Sequence, residues 1–343
     1  MKTRETIFGN KSLDRFDAIV IGSGPSGSAC TAMLCKLGKK VLLLEGGPNL
    51  FDGIDNPASG YPISRIGNDG LSLGRGLTYL DGRLSPRSYR RDPADGVRIK
   101  FGPLFELPRG VGGGSMLADV RLPRFAPDDF RVGTLLTPTL SGTSFVDWPI
   151  SYDELEPFYT YAEQSYGVQG EPDPNGGRRS APYPMAPGPA KYGSILLAEQ
   201  ARKLGYKPFR CPRGLNSRPY DGRPACINCG FCGGHGCPVN ARGGCTPITS
   251  LRRALLSGNC LLLAETKVAK LKVSGTGKQV IGVEAIHRDG RRAEYKADLY
   301  ILATGAIEDT RIVLRSFPGG IGNPNDLVGR NFCGRSVIVA VGI

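Results

Sequence analysis

Apolar positions fall into a few short buried runs, separated by long stretches rich in glycine, proline and charge. Asp17–Ile21 is an apolar run closed by glycine, the pattern of a strand buried in a parallel sheet. Ser28–Leu37 reads as a helix and Lys39-Lys40 as the turn after it. Val41–Leu44 is a second buried strand, ending at Glu45. Helical periodicity returns at Ser194–Leu204 (Ile195, Leu196, Leu197, Ala201) and at Pro247–Leu256. From Cys260 to Ala306 the pattern is β. Leu261–Leu263, Val268–Val273 and Val280–Ile286 are strands, with turns at Gly275-Thr276-Gly277 and Asp289-Gly290. Ala297–Leu302 is a further buried strand that runs into Ala303-Thr304-Gly305-Ala306. There are no internal repeats. The pattern predicts an α/β fold with a parallel sheet flanked by helices.

Composition narrows the picture. The 343 residues include 49 Gly and 27 Pro without a three-residue period, which excludes collagen. A hydrophobic content of 40% supports a packed core and excludes wholesale disorder. The length fits two domains, or one large α/β domain with insertions. The net charge of +13 is partly local: Arg202, Lys203, Lys207, Arg210, Arg213, Arg218 and Arg223 stand against Asp221 alone between residues 201 and 230. These cations are scattered through loop-like sequence rather than along one helical face, so no nucleic-acid partner is expected. The first residues lack the apolar region of a signal peptide. The longest apolar runs, such as Val337–Val341, fall short of the roughly 20 residues a membrane helix needs. A cytoplasmic chain without a transmembrane segment is the expectation.

The first sixty residues carry the clearest chemistry. Gly22-Ser23-Gly24-Pro25-Ser26-Gly27 sits between the first strand and the first helix. In this arrangement Gly22 makes the tight turn and Gly24 lets a pyrophosphate approach the backbone. Gly27 lets the helix pack close to the strand, and the helix N-terminus offers oriented N–H groups to the phosphates. Glu45 lies where an acid accepts from a ribose hydroxyl. Gly46-Gly47-Pro48 then forms a turn rather than a helix. The later strand ending in Ala303-Thr304-Gly305 favours FAD over NAD as the dinucleotide.

Four further segments extend the match. They are Arg109-Gly110-Val111-Gly112-Gly113-Gly114-Ser115, the stretch Asp147–Tyr159 (DWPISYDELEPFY), Gly305–Leu314 (GAIEDTRIVL) and Leu327–Phe332 (LVGRNF). With these the chain resembles the glucose–methanol–choline (GMC) oxidoreductases, flavoenzymes that oxidise alcohols, and in particular their sugar, polyol and gluconate dehydrogenase branch. The resemblance runs from about Asp17 to Asn331. It implies an FAD/NAD(P)-binding Rossmann-like domain over residues 1–330, with cap, helical and cysteine-loop excursions over about 85–250. Residues 331–343 would begin an antiparallel substrate domain that is incomplete. It also implies that Gly113, Gly114 and Ser115 lie near the flavin and its phosphates. Val268 would meet the adenine through its backbone, and Gly305 would lie at the phosphate end. An ordinary core valine and a flexible loop are the competing readings of Val268 and of Gly112–Gly114. Three places depart from the family pattern: Met116-Leu117 after the loop serine, Asp309-Thr310 where Thr-Pro or Ser-Pro is common, and Arg335-Ser336 in place of a His-Pro pair.

Five of the ten cysteines fall between Cys226 and Cys245. The run Cys226-x2-Cys229-x2-Cys232-x4-Cys237-Pro238 collects thiols in one short loop, which suits a soft metal or an iron–sulfur cluster. A cysteine loop with free thiols or one disulfide, and zinc, stay open beside it. The loop resembles the cysteine segment of FAD-dependent glucose, gluconate and sorbitol dehydrogenases. That implies Cys226, Cys232 and Cys237 as cluster ligands, with Cys229 as an alternative, and electron transfer to a cytochrome or small-subunit partner. Cys30, Cys35, Cys211, Cys260 and Cys333 read as core residues. His235 reads as a solvated loop residue, and His287, beside the Asp289-Gly290 turn, as exposed.

The substrate implied is a small alcohol, sugar or polyol, with electrons passed to an acceptor other than oxygen. The family's catalytic histidine lies in its C-terminal part, so the base is expected beyond residue 343 and no catalytic residue is named. An FAD-binding or electron-transfer module, or an inactive truncated fragment without its own substrate site, is the alternative.

Overall fold

A computed structural model describes residues 15–66, 109–139, 145–230, 235–317 and 323–331, positions 142 and 232, and the backbone of 88–89 and 100–101. The segment 332–343, with the expected start of a substrate domain, the Arg335-Ser336 departure and Cys333, lies outside the described residues.

Four strands form a parallel sheet: β1 (Phe16–Ile21), β2 (Val41–Leu44), β7 (Cys260–Leu263) and β11 (Ala297–Leu302), in the order β11-β1-β2-β7. Ile21 pairs with both Leu44 and Leu302, and Leu44 with Leu263, so the strands end level at one edge. Side chains alternate between faces, and each face has its own core. Ala18, Val20, Val41 and Leu43 pack with Cys35 of helix α1 (Pro25–Lys36) and with Leu251 and Ala254 of the helix Ser250–Leu256. Ile19, Ile21, Leu42 and Leu44 pack on the other side against Val268, Leu271, Val283 and Ala285. Those residues come from an antiparallel sheet of β8 (Thr266–Val273), β9 (Val280–His287) and β10 (Arg292–Tyr295). Ile312 of the helix Ala306–Ser316 joins them. Two small antiparallel pairs complete the described strands, β3 (Phe51–Asp52) with β4 (Ile63–Ser64) and β5 (Ser88–Tyr89) with β6 (Lys100–Phe101).

Helix α1 starts three residues before the predicted helix, because Pro25 presets the first helical φ. It buries Gly27, Ser28, Thr31 and Cys35, a stripe at helical spacing. Cys260 is also buried, as expected, and Cys30 is half-buried. Cys211 is exposed, contrary to expectation, because it lies in a surface segment that packs on no core cluster.

The excursion outside the sheets is organised by charge. Ser151 and Glu154 form a capping box at the start of the helix Tyr152–Tyr166, and Gly167 ends it in the left-handed region. Arg124, 7% exposed, donates to Glu156 (2.8 Å) and to both oxygens of Glu163, which Arg179 also holds. By contrast, the predicted helix at Ser194 runs over Tyr192–Lys203 and buries no residue.

Burial alone would push the Glu156 carboxyl up. The Ser180 main-chain N–H, the Arg124 guanidinium and the hydroxyls of Ser180 and Thr160 outweigh it and hold Glu156 down to about 2. A depressed carboxylate contributes stability that is present above its unfolded value and lost as pH falls towards the folded one. Thermal melts should therefore show stability falling as the pH is lowered from 5 towards about 2. Glu156→Gln should flatten that slope. Arg124→Met, which leaves two buried carboxylates short of a cation, should cost about 3–5 kcal/mol at neutral pH.

Candidate functional site

The site is built where β1, β2 and β11 end. Gly22 follows β1 with φ of +101°, a conformation that favours glycine, and its N–H donates to the Leu44 carbonyl at 2.8 Å. A β-carbon there would overlap the Ala303 carbonyl, and one on Gly27 would overlap the Gly22 carbonyl oxygen. Helix, turn and strand thus meet backbone to backbone. Gly24 caps α1 and points the helix N-terminus into open space.

Ser23, fully buried, ties this turn to two other loops. Its N–H and Oγ donate to Glu45 Oε2 at 3.0 and 2.6 Å, and its Oγ accepts from the Gly112 N–H at 3.0 Å. Glu45 Oε1 accepts from the Gly47 N–H at 2.7 Å. Arg109 donates to the Gly46 carbonyl at 2.9 Å, and Val111 N–H to the Pro48 carbonyl at 3.0 Å. Ser115 Oγ donates to the Gly112 carbonyl at 2.7 Å and accepts from Thr246 N–H at 3.1 Å.

These elements enclose a cleft of about 520 Å³. Gly22, Gly24, Glu45, Gly113, Gly114, Val268 and Gly305 all line it. Gly27 and Ser115 do not; they lie behind its wall, Gly27 as a packing contact and Ser115 as a hydrogen-bonded prop. Val268 serves both as wall and as core, at 6% exposure. Two cations that the sequence reading did not single out, Arg109 and Lys267, reach the cleft beside Gly46. Burial pushes the Lys267 ammonium below its ordinary value, and Arg109 adds to the effect while Glu308 opposes it. At the far wall Thr304 donates through both N–H and Oγ1 to Asp309, so the departure at Asp309 ties the start of the helix back to the segment that follows β11. A dinucleotide suits this arrangement. The α1 N-terminus faces the cleft, and a β-carbon at Gly24, Gly114 or Gly305 would meet nothing within 4 Å, which leaves the backbone there open to a ligand.

Cys226, Cys229, Cys232 and Cys237 line one small cavity with Leu215 and Arg242. Among the described residues no group of three His, Cys, Asp or Glu side chains forms a metal site. Cys226, Cys232 and Cys237 pack as small apolar groups against Val120, Leu215 and Ala241. No disulfide joins any of the described cysteines. His287 is corrected: it is 6% exposed, with Nδ1 3.1 Å from Thr266 Oγ1 and Nε2 3.0 Å from the Tyr295 hydroxyl. The flanking strands β8 and β10 enclose the ring that the adjacent turn had suggested was exposed.

Residues 194–337 match the sequence model of the GMC oxidoreductase family. The chain is 30% identical over 341 residues to the fructose dehydrogenase large subunit of Gluconobacter japonicus, covering 92% of this chain and 57% of that one. It is 29% identical over 330 residues to 6'''-hydroxyparomomycin C oxidase of Streptomyces lividus, covering 93% and 54%. The chain thus spans about half the length of the curated relatives it matches. Among solved structures, pyridoxine 4-oxidase from Mesorbium loti shares the fold with a TM-score of 0.53 at 22% identity, over 88% of this chain and 52% of that one. No helix among the described residues is long and apolar enough to cross a membrane.

The glycine contacts separate folding from ligand access. Gly27→Ala should lower stability by about 3 kcal/mol in urea unfolding, because backbone must move. Gly24→Ala should stay within about 1 kcal/mol of wild type, since its methyl meets only open space.

Proposed function

We propose, on the match of residues 194–337 to the GMC oxidoreductase family model, that the chain is the FAD-binding part of an enzyme that oxidises the CH–OH group of an alcohol, sugar or polyol. The convergence of Gly22, Gly24, Glu45, Gly113, Gly114, Val268 and Gly305 on one cleft carries this reading. When bound, FAD supplies the hydride acceptor. The α1 N-terminus, with Gly24, would take the pyrophosphate. Glu45, pinned by Ser23 and Gly47, would face the adenosine ribose, and Arg109 and Lys267 add positive charge at that end. Gly113 and Gly114 would line the flavin side. Ser115 and Gly27 hold the walls at their spacing.

Electrons would pass to an acceptor other than oxygen, with a cytochrome or small-subunit partner. Support comes from a relative named as a large subunit and from another, in Pantoea cypripedii, named gluconate 2-dehydrogenase flavoprotein. No metal site is found among the described residues, and the proposed electron route does not depend on an iron–sulfur group. A cofactor-binding or electron-transfer module is the second reading, favoured by the described lining of the cleft, which holds no histidine.

Purified protein should carry visible flavin absorbance or take up FAD on mixing, read as quenching of flavin fluorescence. A folded protein that stays colourless and does not quench would remove the reading. Gly24→Ala, although folded, should bind FAD about tenfold more weakly, because its methyl occupies the phosphate approach.

A further inference from the structure

We propose that Arg242 is a positioning residue that couples the cysteine loop to the cofactor cleft; the inference rests on the cleft binding FAD. Arg242 is 2% exposed, donates to four main-chain carbonyls and also hydrogen-bonds the buried Cys245 thiol. One terminal nitrogen donates to Ala118 (3.3 Å), Cys232 (2.7 Å) and His235 (2.8 Å), and the other donates to Met116. Met116 closes the short turn Gly113–Met116, whose Gly113 and Gly114 line the cleft. Cys232 and His235 belong to the loop that carries the thiols. A single planar group therefore sets the distance between the back of the cofactor loop and the cysteine loop.

The chain leaving the cysteine loop reinforces this tie. The Thr246 N–H donates to Ser115 Oγ, and the Pro247 ring lies where a β-carbon on Gly112 would sit, at 2.6 Å. Residues 242–247 are thus the floor of the glycine loop. Charge makes the link sensitive. The acceptors of Arg242 include no carboxylate, and its Nε is buried without a hydrogen-bond partner. A buried cation is unfavourable without an opposite charge. Here four carbonyl dipoles, two from each loop, offset it beside the Cys245 thiol, so displacing either loop weakens the alignment that holds the other. Ordering of the cleft by FAD should restrict the thiols, and capping the thiols should in turn weaken FAD binding.

The test uses the full chain and an aromatic disulfide reagent, 5,5′-dithiobis(2-nitrobenzoate), with labelled sites assigned by peptide mass spectrometry. Exposed Cys211 serves as the internal control. Saturating FAD should slow labelling of Cys226, Cys232 and Cys237 by about fivefold or more relative to Cys211. Capping should raise the dissociation constant for FAD. Arg242→Met should erase the protection, and Arg242→Lys, which keeps the charge but spans fewer carbonyls, should restore part of it. Should Arg242→Met fail to fold, judged by circular dichroism, the lysine variant and the two wild-type measurements decide. Loop thiols that react at one rate with and without FAD would overturn the coupling, as would protection that survives undiminished in the variants. Wild type that binds no FAD would remove the cleft reading and the coupling together. Wild type that binds FAD with indifferent thiols would remove the coupling alone.

Discussion

Backbone meets backbone where β1 hands over to α1, and the remaining architecture is arranged around that contact. Gly27 lies against the Gly22 carbonyl, and Gly22 lies against Ala303 at the end of β11. A side chain at Gly27 would force α1 away from the sheet, and one at Gly22 would part the ends of β1 and β11. The first helix would then lose its hold on Val20 and Leu43, and its N-terminus would no longer face the cleft. Because Ile21 is in register with Leu44 and Leu302, the same contact also fixes where the glycine, acid and Ala-Thr-Gly segments end. A single steric constraint thereby aligns three loops that come from distant parts of the chain.

Outside the sheet, buried arginine takes over from apolar packing. Arg124 joins its own segment to the helix Tyr152–Tyr166 through two carboxylates. Arg223, 1% exposed, reaches the Tyr166 carbonyl, and burial pushes its guanidinium below the ordinary value. Arg242 binds carbonyls of two loops. Glycine- and proline-rich segments offer few large apolar side chains but many carbonyls without a ladder partner. A planar five-donor group can satisfy several of these at once. That accounts for part of the basic charge without calling on a nucleic acid.

The sheet was legible because its strands are short apolar runs; β2, buried throughout, ends where the run Val41–Leu44 ends, whereas β11 keeps to Ala297–Leu302 but is not the buried strand expected, with Asp298 and Leu299 exposed. The cleft was legible at its glycines and at Glu45 for the same local reason, a fixed order of strand, turn, helix and strand. What stayed hidden depends on contacts between remote segments. Nothing local says that Ser23 bridges Glu45 and Gly112, that Lys267 turns into the cleft, or that Arg242 spans two loops. His287 was misjudged because the adjacent turn signals exposure, whereas β8 and β10 decide it. The helix Tyr192–Lys203 shows the converse, a periodic pattern correctly read as helix whose apolar residues find no cover among the described residues. The box Ser151-x-x-Glu154 was present as a sequence signal and marks a helix start that periodicity alone left unassigned.

The order β11-β1-β2-β7 has a consequence for how the protein is made. The neighbours of β1 and β2 are separated from them by most of the chain, since Val41 pairs with Cys260 and Phe16 with Ala297. Such pairings close very long loops before they return any packing energy, which makes them slow to form. During synthesis, β1, α1 and β2 emerge early with both sheet edges open and wait for strands translated much later. The early unit is therefore exposed to intermolecular strand pairing, and chaperone protection over that interval should govern the yield of folded protein.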